Sequence, residues 1–169
     1  MANTNISAWT DSQRLNMMKV DLITITPTIE TSTIDANDVL FNPTEIPYAV
    51  AVKNGISILQ SICLIDQTNT SVDAGVQIDL VFTQDSTVLG SLDAAVSCAD
   101  TVLDGILGII SITNYADMIN GQIATKNNIG LVLKGASSST SIYVGGVIRE
   151  AGTARVATAI DIRLGIVKD

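Results

Sequence analysis

The chain has 169 residues and a mass of 17.7 kDa, enough for one domain with a full core of its own. It is 47% hydrophobic and only 15% charged, has a formal net charge of −8 and a pI near 4.2, and contains no histidine. The acidity argues against nucleic acid as a partner, and the missing histidine removes Ser-His-Asp and Cys-His catalysis, His-ligated zinc and the usual general base at neutral pH.

So few charges beside so many aliphatic residues imply a β-rich core together with an apolar exterior meant for neighbouring subunits. No membrane span is expected. The longest greasy run, Ile106 to Ile112, is far short of the ~20 residues that cross a bilayer. The first ten residues lack both a basic cluster and an apolar stretch, so no signal peptide is expected, and the protein is placed in the cytoplasm until it assembles. Cys63 and Cys98 read as two reduced, half-buried small hydrophobes, although the sequence leaves open whether they pair.

In chain order, residues 1–16 form a polar arm in which Trp9 is the one large anchor, and residues 17–169 form the domain. Met17–Thr26 predicts a strand that Pro27 ends or confines to a sheet edge. Thr28–Ile34 reads as extended, Asp35–Pro47 as a long loop punctuated by Asn-Asp, Asn-Pro and Ile-Pro, and Tyr48–Val52 as the start of another strand. Asn54-Gly55 signals a tight turn. Gly55–Asp66 predicts a strand with Ile56, Ile58, Ile62 and Leu64 on one side and Ser57, Leu59, Ser61, Cys63 and Ile65 on the other. Aliphatic residues on both sides suggest a central position. After a polar turn, Gln67–Gly75, the run Val76–Thr83 alternates, with Val76, Ile78, Leu80 and Phe82 inward.

Asp85–Val96 reads as loop, and Ser97-Cys98-Ala99-Asp100 as a capping box opening a short helix that Gly105 stops. Ile106–Thr113 predicts a buried strand and Asn114–Asp117 one more capped turn. Asn120-Gly121 predicts a tight turn, and Gln122–Thr125 and Ile129–Lys134 two separate strands. Ser141–Asp169 reads as a terminal pair of strands joined by a short polar loop. In the second of them Thr158, Ile160, Ile162, Leu164 and Ile166 share one face. The fold class is all-β: a single β-sandwich or jelly-roll-like domain with one or two short helical turns.

Little in the chain is patterned for chemistry. Asp66, Asn69 and Asp73 invite a calcium loop, but their spacing fits no such motif, and solvated turn residues are the simpler reading. Asp66, Asp79, Asp85, Asp93 and Asp100 are scattered rather than paired across a cleft, and Asp79 falls on an outward parity. No catalytic residue, cofactor or metal is expected. Candidate interface residues are Trp9, Tyr143, Arg149, Arg155 and Arg163. The three arginines lie close to Glu150 and Asp161 in the terminal pair of strands, either as inter-subunit ion pairs or as cross-strand pairs on an exposed sheet face.

The run Ile142-Tyr-Val-Gly-Gly-Val-Ile-Arg149, then Ala151-Gly-Thr153, Asp161-Ile-Arg-Leu-Gly165 and Lys168-Asp169, resembles small structural proteins encoded near the capsid genes of tailed bacteriophages. Leu64-Ile-Asp66, Val76–Phe82, Ile123–Lys126 and Gly130-Leu131 agree with it, while Leu40–Lys53 with its two prolines departs from the pattern. The resemblance implies a non-enzymatic virion component, a decoration (cement) protein on the outer capsid surface. Its partners would be the major capsid protein and copies of itself, often as a homotrimer, assembled in the host cytoplasm. The alternative is a head-fibre or tail-associated module that binds a receptor or glycan, against which the 4% aromatic content argues.

Overall fold

A computed structural model describes residues 19–68, 76–151 and 155–168. Among these residues nine strands form two antiparallel sheets. They are β1 (Lys19–Ile25), β2 (Val39–Ile46), β3 (Ile56–Asp66), β4 (Ile78–Thr83), β5 (Ile106–Ile112), β6 (Tyr115–Asp117), β7 (Gln122–Lys134), β8 (Ile142–Ile148) and β9 (Ile160–Lys168). One helical turn, α1 (Asp100–Leu103), precedes β5. The first sheet has the order β1-β9-β3-β7-β6 and the second β2-β8-β4-β5. With β6 set aside, strands adjacent in sequence mostly go to opposite sheets, and the last strands slot between the first ones. This is the doubled Greek key of an eight-stranded jelly roll.

The inward parities of both sheets meet in one core that includes Leu40, Phe41, Leu64, Leu80, Phe82, Ile162 and Leu164, all fully buried. β9 keeps the alternation read from its sequence, with Ile160, Ile162, Leu164 and Ile166 inside. It lies between β1 and β3 with an unbroken ladder to β1. β8, however, is not its hairpin partner. The chain leaves β8 in the second sheet and enters β9 in the first, so the two terminal strands face each other across the core. Period-two patterning fixes which face of a strand is buried and is silent about which strand it pairs with.

Several elements differ from the sequence expectation for identifiable reasons. Asp35–Pro47 is not all loop, because β2 runs through it. β2 is an edge strand whose register to β8 shifts between Phe41 and Thr44, and Pro43 falls in that irregular stretch, where a missing N–H costs no ladder bond. Thr28–Ile34 forms no regular strand yet buries Ile29 and Ile34, and Tyr48–Val52 is turn and bend rather than strand. Asn114–Asp117 is not a capped turn. Tyr115–Asp117 is β6, folded onto β7 through the predicted turn at Asn120-Gly121. The predicted capping box also fails to form. Ala99 is the N-cap of α1 and no side chain caps it. β5 is an edge strand of which only Ile112 is fully buried.

The two short strands predicted over 122–134 are one long strand, β7. Asn128 and Gly130, both at positive φ, bulge out of it opposite Gln60. Gln60 is itself an extra residue against β9, where Leu59 pairs with Ile166 and Ser61 with Gly165. One extra residue reverses the facing of everything beyond it. Leu59 therefore points inward with Ile62 and Leu64, whereas Ile56 and Ile58 stay in water. β3 is central, as expected, but aliphatic residues occupy both parities because of this bulge.

Candidate interaction surface

The sandwich leaves two outer sheet faces, and they differ. That of the second sheet is covered by its own chain. Leu89 packs on Val39, Val81 and Val147 in a second small core, and its segment is pinned by Val39 N–H to Ala94 O at 2.9 Å and Val96 N–H to Asn37 O at 3.3 Å. The Asn42 side chain adds two bonds, donating to Gly90 O and accepting from Leu89 N–H, both at 3.1 Å. Asp79, expected as surface charge, is consequently buried under this face. Arg149 Nε donates to it at 2.7 Å and also reaches Asn37 Oδ1 through Nη1. Burial pushes the Asp79 carboxyl up, but bonds from Ser111, Arg149 and Gln77 together with the Arg149 charge hold it below the ordinary value.

Among the described residues, the outer face of the first sheet has no such cover. Strand registers place Val20, Val167, Ile58 and Val132 side by side across four strands. Leu22 stands two residues along from Val20, and Ile56 two along from Ile58. Val20 is 68% exposed, Leu22 72%, Ile56 49%, Ile58 41% and Val132 53%. Gly165, between Leu22 and Ser61 on this face, keeps it flat, since a Cβ there would lie 2.3 Å from Ser61 Oγ. The next row is polar, with Thr24, Arg163, Cys63 and Thr125. A flat, uncovered row of β-branched residues is the kind of surface that packs on another protein, because water is otherwise left against contiguous hydrocarbon.

Charge is uneven over the molecule. Among the described side chains, Arg149, Arg155 and Lys168 are held in ion pairs with Asp79, Asp66 and Asp21. Lys126 Nζ donates to Ser111 O at 3.1 Å, across the gap between β7 and the free edge of β5. Among the described side chains the exposed cations with no such partner are Lys53, Lys134 and Arg163. Lys134 and Arg163 both stand on the open face of the first sheet. Lys53 adjoins Lys134 at the turn where Asn54 N–H bonds Ala136 O and Gly135 N–H bonds Gly55 O. The second sheet's cover carries the opposite sign, with exposed Asp85 and Asp93 among exposed Val88, Leu92 and Val96.

The residues singled out from sequence do not gather on one surface. Arg163 alone of them joins the open apolar face. Tyr143 is half-buried on the second sheet, and Arg149 is committed to Asp79. Arg155 is buried inside the molecule, its Nε 3.3 Å from Asp66, and neither Glu150 nor Asp161 partners any of these arginines. Asp66 is thus a buried ion-pair member rather than a solvated turn residue, while Asn69, Asp73 and Trp9 lie outside the described residues. Cys63 and Cys98 are free thiols: Cys63 lies on the open face of the first sheet, Cys98 in the segment leading into α1. The open face was missed because no single segment displays it. The signal was Val20 and Leu22 on one parity of β1, opposite Ile23 and Ile25.

Two shallow clefts, of about 140 and 340 Å³, are lined respectively by residues around Ser111 and Lys126 and by Tyr48, Val50 and Ala51 beside the Asp21–Lys168 pair. Neither brings together a set of carboxylates. Among the described residues no group of acidic or thiol side chains is placed to hold a metal ion, and no helix is long and apolar enough to cross a membrane.

The fold is therefore a jelly roll with one outer face closed by its own chain and one left open. No family model matches the chain, and no curated protein does. Among solved structures it is similar to a chain of the capsid of Ralstonia phage GP4, at 14% identity over 90% of this chain and 84% of that one, with a TM-score of 0.41. It is also similar to a chain of Desmodium yellow mottle tymovirus, at 14% identity over 89% and 80%, TM-score 0.29. A third is a chain of the native virion of Kashmir bee virus at acidic pH, at 9% identity over 100% and 79%, TM-score 0.30. At such identities and TM-scores these likenesses carry no argument here, and the fold assignment stands on the strand order.

Proposed function

We infer that the protein is a non-enzymatic structural component of a virion, a decoration protein that seats on the outside of a phage head and strengthens the shell by bridging its subunits. The observation that carries this reading is the open apolar face of the first sheet, on a molecule whose buried Arg155 and Lys168 are both taken up in internal ion pairs. A surface of that kind gains free energy by covering protein, and association that favours only the assembled shell stabilises it by mass action. The sequence resemblance to proteins encoded beside phage capsid genes points the same way. The major capsid protein is the partner in this reading, with copies of the chain associated as a trimer.

The test is to mix purified protein with expanded heads that lack it and image them by electron microscopy. Density at regular lattice positions is the expected result. No binding to heads, with the protein found on tails instead, would defeat the reading. Light scattering at micromolar concentration is expected to give three times the 17.7 kDa chain mass. A strict monomer would remove the trimer and leave the shell role standing.

A further inference from the structure

We propose that the open face of the first sheet is the seat itself, and that what it covers is a protein surface of apolar side chains flanked by carboxylates on the outside of the shell. The inference rests on the decoration reading and adds to it the contact surface and the chemistry of the partner. Three features select that partner.

The centre of the face, Val20, Leu22, Ile58 and Val132, has no charged group, so only an apolar surface meets it without stranding a polar one. At its border stand Lys134 and, beside it, Lys53, with Arg163 two rows away, all exposed and outside the internal ion pairs. Among the described residues the one acid on this face is Asp161, which is already bonded by Thr26 Oγ1 and Gln67 Nε2. In a chain of net charge −8 this is a local excess of positive charge around an apolar centre. Such a pattern favours carboxylates on the partner and disfavours lysine-rich surfaces.

A second copy of the chain is the competing occupant, because the segment over the second sheet offers apolar and acidic residues, Val88 and Leu92 beside Asp85 and Asp93. The two surfaces, however, lie on opposite outer faces of one sandwich. Copies joined that way repeat in a single direction and build an open stack rather than a closed oligomer. A protein that must stay dispersed until it meets a shell is poorly served by such a contact, so the shell is the occupant assigned.

The experiment measures co-sedimentation of full-length protein with heads lacking it, alongside light scattering of free protein. Ile58→Asp and Val132→Asp are expected to weaken binding at least about tenfold while the circular dichroism spectrum of the folded protein is retained, because the two side chains are 41% and 53% exposed on the outer face. Lys134→Glu is expected to weaken binding about three- to tenfold at low salt, with the difference shrinking as ionic strength rises. Asp100→Lys, in the helical turn before β5 of the other sheet, is the control and should bind as wild type. If wild-type protein fails to bind heads, the decoration reading falls. If wild type binds and the folded Ile58→Asp, Val132→Asp and Lys134→Glu variants bind equally well, that reading stands and the seat assignment is overturned. A free-protein oligomer that Ile58→Asp dissociates would show the face to be a self-contact and would equally overturn it.

Discussion

At the scale of single residues, some buried polar groups of this protein are committed to a partner and others are not. Arg155 has a side chain only 3% exposed and neutralises Asp66, so replacing it strands a buried carboxylate. Arg155→Ala is therefore expected to cost about 3–5 kcal/mol in urea unfolding. Arg163→Ala, a change of an exposed side chain, should cost within about 0.5 kcal/mol. Tyr115 packs against the core with a hydroxyl that finds no partner among the described residues. Burial, and then the negative charge of Asp66, push its phenol far above the ordinary value, with Arg155 opposing. A folded pKa raised above the unfolded one gives stability that is complete below pH 10 and lost as pH climbs beyond it. Tyr115 should thus ionise only with alkaline unfolding, seen as phenolate absorbance rising together with loss of the folded circular dichroism signal. Tyr115→Phe removes an unsatisfied hydroxyl and is expected to be neutral or stabilising by up to about 1 kcal/mol. Asp79 gives the opposite sign. Its lowered pKa adds stability above the unfolded value, and that stability fades as pH falls through the folded one. Asp79→Asn should accordingly flatten the decline in urea midpoint measured from pH 5 down to pH 2.

At the scale of elements, β8 shows why its two consecutive glycines are needed. Both of its faces are buried, so each glycine admits a neighbour that a methyl would block. Gly146 faces inward opposite Phe41, whose ring would lie 2.2 Å from an added Cβ, and Gly145 faces outward with Leu89 at 2.6 Å. Gly146→Ala is expected to cost about 2–3 kcal/mol through overpacking against a fully buried ring, measured by chemical denaturation. The sequence showed Gly145 and Gly146 inside an alternating run and gave no hint of what they accommodate, because Phe41 arrives from about a hundred positions away. Edges follow the same logic. β7 pairs with β6 only over Gln122–Ala124, and its remaining edge is roughened by Lys126, the bulge around Asn128 and Gly130, and Lys134. Such features discourage unwanted strand pairing.

At the scale of the whole molecule, the two faces of the sandwich divide the work. The 84–98 segment closes the second sheet with Leu89 and ties itself down by backbone bonds, whereas the first sheet keeps Val20, Ile58 and Val132 in water. The first sheet thus shows a contiguous exposed apolar row, whereas the exposed Val88, Leu92 and Val96 over the second stand beside Asp85 and Asp93. The alternating residues of β4 and β9 and the sparse charge determined by themselves an all-β sandwich with an apolar exterior, since facing and composition are local properties of a chain. Which strands pair, that β8 and β9 part to opposite sheets, that Gln60 turns Ile56 and Ile58 outward, and that four separate strands assemble one open apolar row were decided only in the tertiary structure. Pairing and register depend on contacts between residues far apart in sequence, and no local pattern encodes them.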